Sequence, residues 1–380
     1  MKTVFIYSDE FASYSYGPEH PLKPIRLKLT YDLIRSYGLL DLPNSPVIPA
    51  KKASRDEVAW FHHPHYIQVV EEANSGFLTY EWGLDFGLGP GDNPVFSGVY
   101  DWSLLVTGAT LQAARLVQQG EADIAFNISG GLHHAAKSRA SGFCYFNDIV
   151  VAICYLLQQG KRIAYIDVDV HHGDGVQNAF YDTDQVLTIS LHESGYFLFP
   201  GTGFEHEIGE GQGRGYSVNI PYYPGADDEA VVYGFLEVVP PLIKAFQPDI
   251  LITQLGVDSF RTDPLAHANV TTHGFCQMVT EMRKFGLPWI ALGGGGYDLH
   301  NVARAWTLAW AIMNHQEVDL PDELPADYLS EADRLGLLRG TRLRDPEYKL
   351  KIHNRDKILK ELDKSVKYIK KEVFPIIGAR

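Results

Sequence analysis

RIAYIDVDVHHGDGVQNAF, residues 162–180, is the stretch on which the fold turns. It opens with an apolar run of the kind that fills a strand buried on both faces, passes through a polar cluster, and turns at a glycine into a helical segment. In open α/β sheets that strand-to-helix edge is where ligands sit. Asp169 and His171 are spaced i, i+2, which puts both on one side of an extended strand and lets two metal ligands converge.

Three further apolar runs deliver chemically unusual side chains to their own carboxyl ends. DILITQLGVDSF (249–260) brings Asp258, WIALGGGGYD (289–298) brings Tyr297 behind four glycines, and IAFNIS (124–129) leads into Gly130-Gly131-Leu132-His133-His134. An Asp-x-Asp after a strand is as often a helix cap as a ligand pair, and a lone histidine is more often structural. A histidine pair, an Asp-x-Asp-x-His-His-x-Asp string, a distant aspartate and a tyrosine after glycines are hard to explain jointly as packing.

Apolar runs at residues 3–7, 124–128, 162–168, 186–192, 250–255 and 288–292 alternate with helical patterns at 99–119, 148–159, 227–246 and 299–312. That alternation predicts βαβ units: one α/β domain with a mostly parallel central sheet and helices on both faces. Asp227 reads as an N-cap, and Pro240-Pro241 should bend the helix behind it without ending it. The chain has 380 residues, 45% hydrophobic and 21% charged, and no linker divides it. A catalytic part over residues 1–315 is expected, with a helical extension over 316–380 packed on the same domain. In that tail Leu359, Leu362, Val366, Ile369 and Val373 keep three-four spacing up to Pro375, within a Lys-rich stretch over 348–371.

The three cysteines, Cys144, Cys154 and Cys276, form no Cys-x-x-Cys, so neither a disulfide framework nor a zinc ribbon is indicated. A net charge of −14 argues against direct nucleic-acid binding and suits a substrate presenting cationic lysine. No apolar run approaches the roughly 20 residues of a membrane span, and the opening MKTVFIYSDEF is too short in apolar residues for a secretory signal, so a cytoplasmic location is expected.

Ten blocks, in order, now carry a resemblance: HPLKPIRL (20–27), FHHPHYI (61–67), GDNPVF (91–96), GGLHHA (130–135), GFCYFND (142–148), YIDVDVHHGDG (165–175), SLHES (190–194), FPGTG (199–203), LGVDS (255–259) and LGGGGYD (292–298). Up to about residue 310 the chain resembles the zinc-dependent histone deacetylase superfamily, with its arginase-like three-layer α/β/α fold. Through GGGGYDLHNVARAW (293–306) and its short loops it is similar to the bacterial acetoin-utilisation branch.

The resemblance implies a catalytic Zn²⁺, or Fe²⁺, on Asp169, His171 and Asp258. It pairs His133 with Asp167 and His134 with Asp174, making His134 the general base and then acid, with His133 in electrostatic support. It also implies a structural K⁺ held by Asp167, the Ser190 hydroxyl and main-chain oxygens of Asp169, His171 and Leu191. Tyr297 would hydrogen-bond the carbonyl oxygen and stabilise the oxyanion. Gly142, Phe143, Phe199 and Leu265 would line an acyl-lysine tunnel, and Asp92 would hold substrate backbone at its rim. His62, His63 and His65 belong to a block that is structural in the family. The implied activity is deacetylation of protein acetyl-lysine, with a metabolic enzyme such as acetyl-CoA synthetase as a better target than histones. The rivals are an acetylpolyamine or small-amide hydrolase, arginase-type chemistry, for which Asp263 alone supplies too few ligands, and a non-catalytic acyl-lysine reader.

Overall fold

The computed structural model describes residues 1–337, 339–347 and 354–380. Eight strands, β1 (Thr3–Tyr7), β2 (Val47–Pro49), β3 (Ile124–Asn127), β4 (Ile163–Asp167), β5 (Val186–Glu193), β6 (Ser217–Tyr222), β7 (Ile250–Gln254) and β8 (Trp289–Leu292), form one sheet. All neighbours are parallel, in the order β2-β1-β3-β8-β7-β4-β5-β6. The six strands expected from apolar runs include all of the interior ones. β2 and β6, which no apolar run marks, are the two edges, where one side of the strand is unpaired and the sequence need not be continuously apolar. β2 is three residues long and β6 reads SVNIPY, with Asn219 and Pro221 breaking the run.

Helices cover both faces. Ile25–Ser36, Leu299–Met313, Thr272–Lys284 and Asp228–Phe246 pack in that order side by side, while Val99–Gln118 packs against Asp148–Gln158. Indole N–H groups are tied off within the core: Trp306 donates to Leu255 O at 2.8 Å and Trp289 to Thr253 Oγ1 at 2.9 Å. The Asp227 carboxylate caps its helix by accepting from Ala230 N at 3.1 Å, and that helix runs through Pro240 and Pro241 to Phe246.

The helix Arg355–Glu372 buries Ile358, Leu362, Val366 and Ile369, and packs against Asp228–Phe246 and β6. Leu359 is only half-buried; the inward stripe begins at Ile358 instead. Arg355 pairs with Asp227 at 3.0 Å, and Tyr233 donates to Asp363 at 3.0 Å. Of the Lys-rich stretch expected over 348–371, residues 348–353 lie outside the described residues. Among the described residues no helix is long and apolar enough to cross a membrane.

Candidate active site

The carboxyl ends of the adjacent strands β3, β8, β7 and β4 meet at one place. β4 stops at Asp167, so Asp169 and His171 are not on a strand, contrary to the i, i+2 reading. Val168 N still reaches Gln254 O at 3.1 Å, but then Asp167 Oδ1 accepts from Asp169 N at 3.1 Å and turns the chain out of the sheet. Convergence is restored inside the loop, where Asp169 Oδ1 accepts from His171 N at 3.0 Å. Asp258 arrives from the loop after β7. His171 Nδ1 lies 3.1 Å from Asp169 Oδ1 and 3.0 Å from Asp258 Oδ2, and the three donor atoms fall within 4.8 Å of one another.

All three side chains are buried, so two carboxylates share a low-dielectric space. Burial and the charge of Asp169 push the Asp258 carboxyl up to about 7. Such crowding is unfavourable without a cation, and one nitrogen with two carboxylate donors suits a divalent ion with open coordination positions. The surroundings orient the donors. Asp258 Oδ1 accepts from Val170 N at 2.9 Å, while Asp169 Oδ2 accepts from Gln254 Nε2 at 2.6 Å and Gly295 N at 2.8 Å. Gly295 is required for this approach, because a Cβ there would sit 2.0 Å from Asp258 Oδ2.

Beside the cluster, His133 Nε2 and His134 Nε2 are 3.0 Å apart, and each ring is anchored through Nδ1. Asp167 Oδ2 holds His133 at 2.7 Å and Asp174 Oδ1 holds His134 at 2.7 Å. The two imidazoles are driven to opposite states. Burial works against charge on His133, yet Asp167 and Asp169 overcome it and raise the group to about 9. For His134, burial and the neighbouring His133 charge outweigh Asp174 and lower it to about 4. The adjacent rings are thus pushed in opposite directions, His133 toward the cation and His134 toward the free base.

Tyr297 is half-buried behind its glycines, with its N–H donating to Asp263 Oδ2 at 2.7 Å. The Phe143 ring stands edge-on to it at 5.6 Å, and the Phe199 ring stands edge-on to His134 at 5.0 Å. Gly142 lies against His134, and Phe143 is held at a left-handed φ of 68° with its carbonyl accepting from Tyr16 Oη at 2.9 Å. Leu265 is half-buried on the loop that also carries Asp263, which accepts Leu265 N at 3.0 Å. Asp92 is exposed at the rim and accepts Gly142 N at 2.8 Å. On β5, Ser190 is the register partner of Asp167, Leu191 follows it, and Ser190 Oγ lies 2.8 Å from His192 Nδ1.

His62 and His63 bind backbone groups, not the metal-donor cluster. His62 Nε2 accepts from Asn147 N at 2.9 Å, and His63 Nδ1 caps the helix Pro64–Glu72 by accepting from His65 N. Three residues have evident roles that sequence reasoning does not assign. Gln254 orients Asp169, Asp263 fixes the Tyr297 backbone, and the buried Arg26 donates to Gly296 O at 2.9 Å. Arg26, Leu22 and Cys144 line a cavity of about 20 Å³ continuous with the His pair and Tyr297, room for about one water. The only sequence signal for Arg26 is its place inside the HPLKPIRL block.

A sequence profile described as the histone deacetylase domain matches residues 20–313. The chain is 40% identical over 334 residues to the acetoin utilization protein AcuC of Bacillus subtilis (strain 168), an alignment covering 86% of this chain and 85% of that one. It is 40% identical over 326 residues to histone deacetylase 1 of Homo sapiens, covering 85% of this chain and 66% of that one. A crystal structure of an HDAC homolog from Aquifex aeolicus superposes with a TM-score of 0.87 at 34% identity, covering 97% of this chain and all of that one.

Proposed function

Because this chain belongs to the histone deacetylase family, we propose that its site hydrolyses the ε-N-acetyl amide of lysine in proteins, releasing acetate and free lysine. Asp169, His171 and Asp258 would hold a divalent ion, zinc as in the family generally or iron(II). When bound, that ion supplies Lewis acidity toward the amide carbonyl and water.

The protein's own groups do the rest. His134, neutral and with Nδ1 engaged by Asp174, takes a proton from the attacking water at Nε2 and returns it to the departing lysine nitrogen. His133, pushed toward the cation by Asp167, would stabilise negative charge developing on the reacting carbonyl. The Tyr297 hydroxyl donates to the same oxyanion, a contribution of about 3 kcal/mol for one such donor. Phe143, Phe199 and Leu265 grip the lysine methylenes, with Asp92 at the rim engaging substrate backbone. Asp167, Ser190 and the main-chain oxygens of Asp169, His171 and Leu191 would hold a potassium ion behind the site.

The observation that carries this reading is the pair of adjacent imidazoles, 3.0 Å apart and each anchored by its own carboxylate, beside a buried three-donor cluster. The acetoin-utilisation name of the Bacillus subtilis relative favours a metabolic enzyme, such as an acetyl-CoA synthetase, over a histone as the substrate. The test is a panel of acetyl-, propionyl- and crotonyl-lysine peptides beside acetylpolyamines, given to zinc-loaded protein. Acetyl-lysine peptides should be turned over fastest. Preference for acetylpolyamines would make this a small-amide hydrolase, and tight peptide binding without turnover would make it a reader.

A further inference from the structure

Glu193, the last residue of β5, has a side chain with no solvent exposure, and both of its carboxylate oxygens engage one residue 74 positions away. Oε2 accepts from His267 N at 3.0 Å, and Oε1 lies 2.8 Å from His267 Nδ1. The His267 side chain is otherwise largely in solvent, 62% exposed. Glu193 is itself fixed to the site, because its N–H donates to Val170 O at 2.8 Å, between Asp169 and His171. A buried carboxylate deprived of its donors is strongly disfavoured, so the loop bearing His267 is held down more firmly than ordinary surface loops.

What that loop carries gives the contact its meaning. Residues 261–270 begin and end side by side, with Arg261 N donating to Val270 O and Val270 N to Ser259 O, each at 3.1 Å. Within the loop, Asp263 divides its oxygens between Leu265 N at 3.0 Å and Tyr297 N at 2.7 Å. Asp263 thereby links the loop to the backbone of Tyr297, and two residues further on lies Leu265, proposed above as one wall of the acyl-lysine path.

We infer that Glu193 and His267 form a latch, a pair of positioning residues that seats loop 261–270 and so sets both the Leu265 wall and, through Asp263, the backbone of Tyr297. Its effect on rate rests on the hydrolase reading above. Its effect on the loop does not.

Glu193→Ala removes both bonds, whereas His267→Ala removes only the ring bond and keeps the backbone one. At equal metal content, kcat on an acetyl-lysine peptide should fall about threefold in His267→Ala and about tenfold in Glu193→Ala. The preference for butyryl- over acetyl-lysine peptide should rise in both, as Leu265 gives way, and His267→Gln, which restores a donor, should recover most of the loss. Without substrate, amides of residues 263–267 and 297 should exchange hydrogen faster in both variants. The double variant should match Glu193→Ala alone.

Wild-type kcat, acyl preference and exchange in His267→Ala would overturn the latch, as would additive effects of the two substitutions. If Glu193→Ala fails to fold, His267→Ala still decides, since it alters an exposed ring. If the wild type turns over no acyl-lysine, the hydrolase reading falls, while the latch stands or falls on hydrogen exchange alone: faster exchange at residues 263–267 and 297 in His267→Ala supports it, and unchanged exchange overturns it.

Discussion

Gly142→Ala is a change of one methyl group that should disable the general base without touching a metal donor. Gly142 sits at φ +52°, a left-handed conformation that costs an alanine about 1–2 kcal/mol. The added Cβ would stand 2.2 Å from His134 Cδ2 and 2.6 Å from Cγ, well inside the roughly 3.5 Å at which carbon atoms pack. Neither side yields easily. The imidazole is held through Nδ1 by Asp174 at 2.7 Å and faces His133 at 3.0 Å, while Gly142 N is held by Asp92 at 2.8 Å. A forced shift of about 1 Å in a reacting group costs on the order of 10²-fold in rate. Steady-state kinetics on an acetyl-lysine peptide should show that loss in kcat, with metal content by elemental analysis unchanged. Melting should fall by a few degrees, consistent with roughly 2–3 kcal/mol of strain and overlap. A kcat within about threefold of wild type in correctly folded protein would refute the claim that His134 must occupy this position.

Asp258→Ala should reduce bound zinc from one ion per chain to a small fraction and abolish turnover; full activity after chelation in the wild type would rule out the assigned donors. His134→Ala should lower kcat by at least ~10²-fold while retaining metal, and a parallel loss of metal would show that a ligand had been mistaken for a base. Tyr297→Phe should keep peptide affinity and lose about 10²-fold in kcat, whereas wild-type turnover would remove Tyr297 from oxyanion stabilisation. His62 bears on stability. Burial lowers its folded-state value to about 3. The unfolded chain, titrating near 6.5, therefore binds the extra proton as pH falls, so this group's share of stability is complete above about 6.5 and declines toward 3 by about 1.4 kcal/mol per pH unit. His62→Gln, which retains a donor and an acceptor, should show a shallower loss of urea stability from pH 6 to 4; identical slopes would refute the buried neutral imidazole.

The interior strands are legible because a parallel sheet buries both faces of its central strands, leaving runs such as Ile163–Ile166 with no polar interruption. Asp258, Tyr297 and the His pair stand out because each follows such a run. The end of β4 is misread from sequence since Val168 is as apolar as the strand before it, and only the Asp167 side chain turning back on Asp169 N marks the exit. Gln254 cannot be read, being one more polar residue at a strand end whose meaning depends on Asp169, 85 positions earlier. Asp263 shows in the sequence only as an insufficient second set of metal ligands, because its bond to Tyr297 N exists only after the loops have folded together.

The sheet has two flanks at which another chain could add a strand. β2 is barely long enough to template one and ends on Pro49, while β6, twice as long, has Pro221 near its end and the helix Arg355–Glu372 packed against it. That helix comes from the end of the sequence, beyond the 20–313 region that matches the family profile, and it contributes no residue to the reaction. A chain cut short before it would expose the apolar surface of β6 and Asp228–Phe246 on which Ile358, Leu362, Val366 and Ile369 pack, and should aggregate more readily than the full-length protein. The groups assigned to the reaction lie elsewhere, between Asp92 and Tyr297, so such a loss would reach them only through the packing of the sheet.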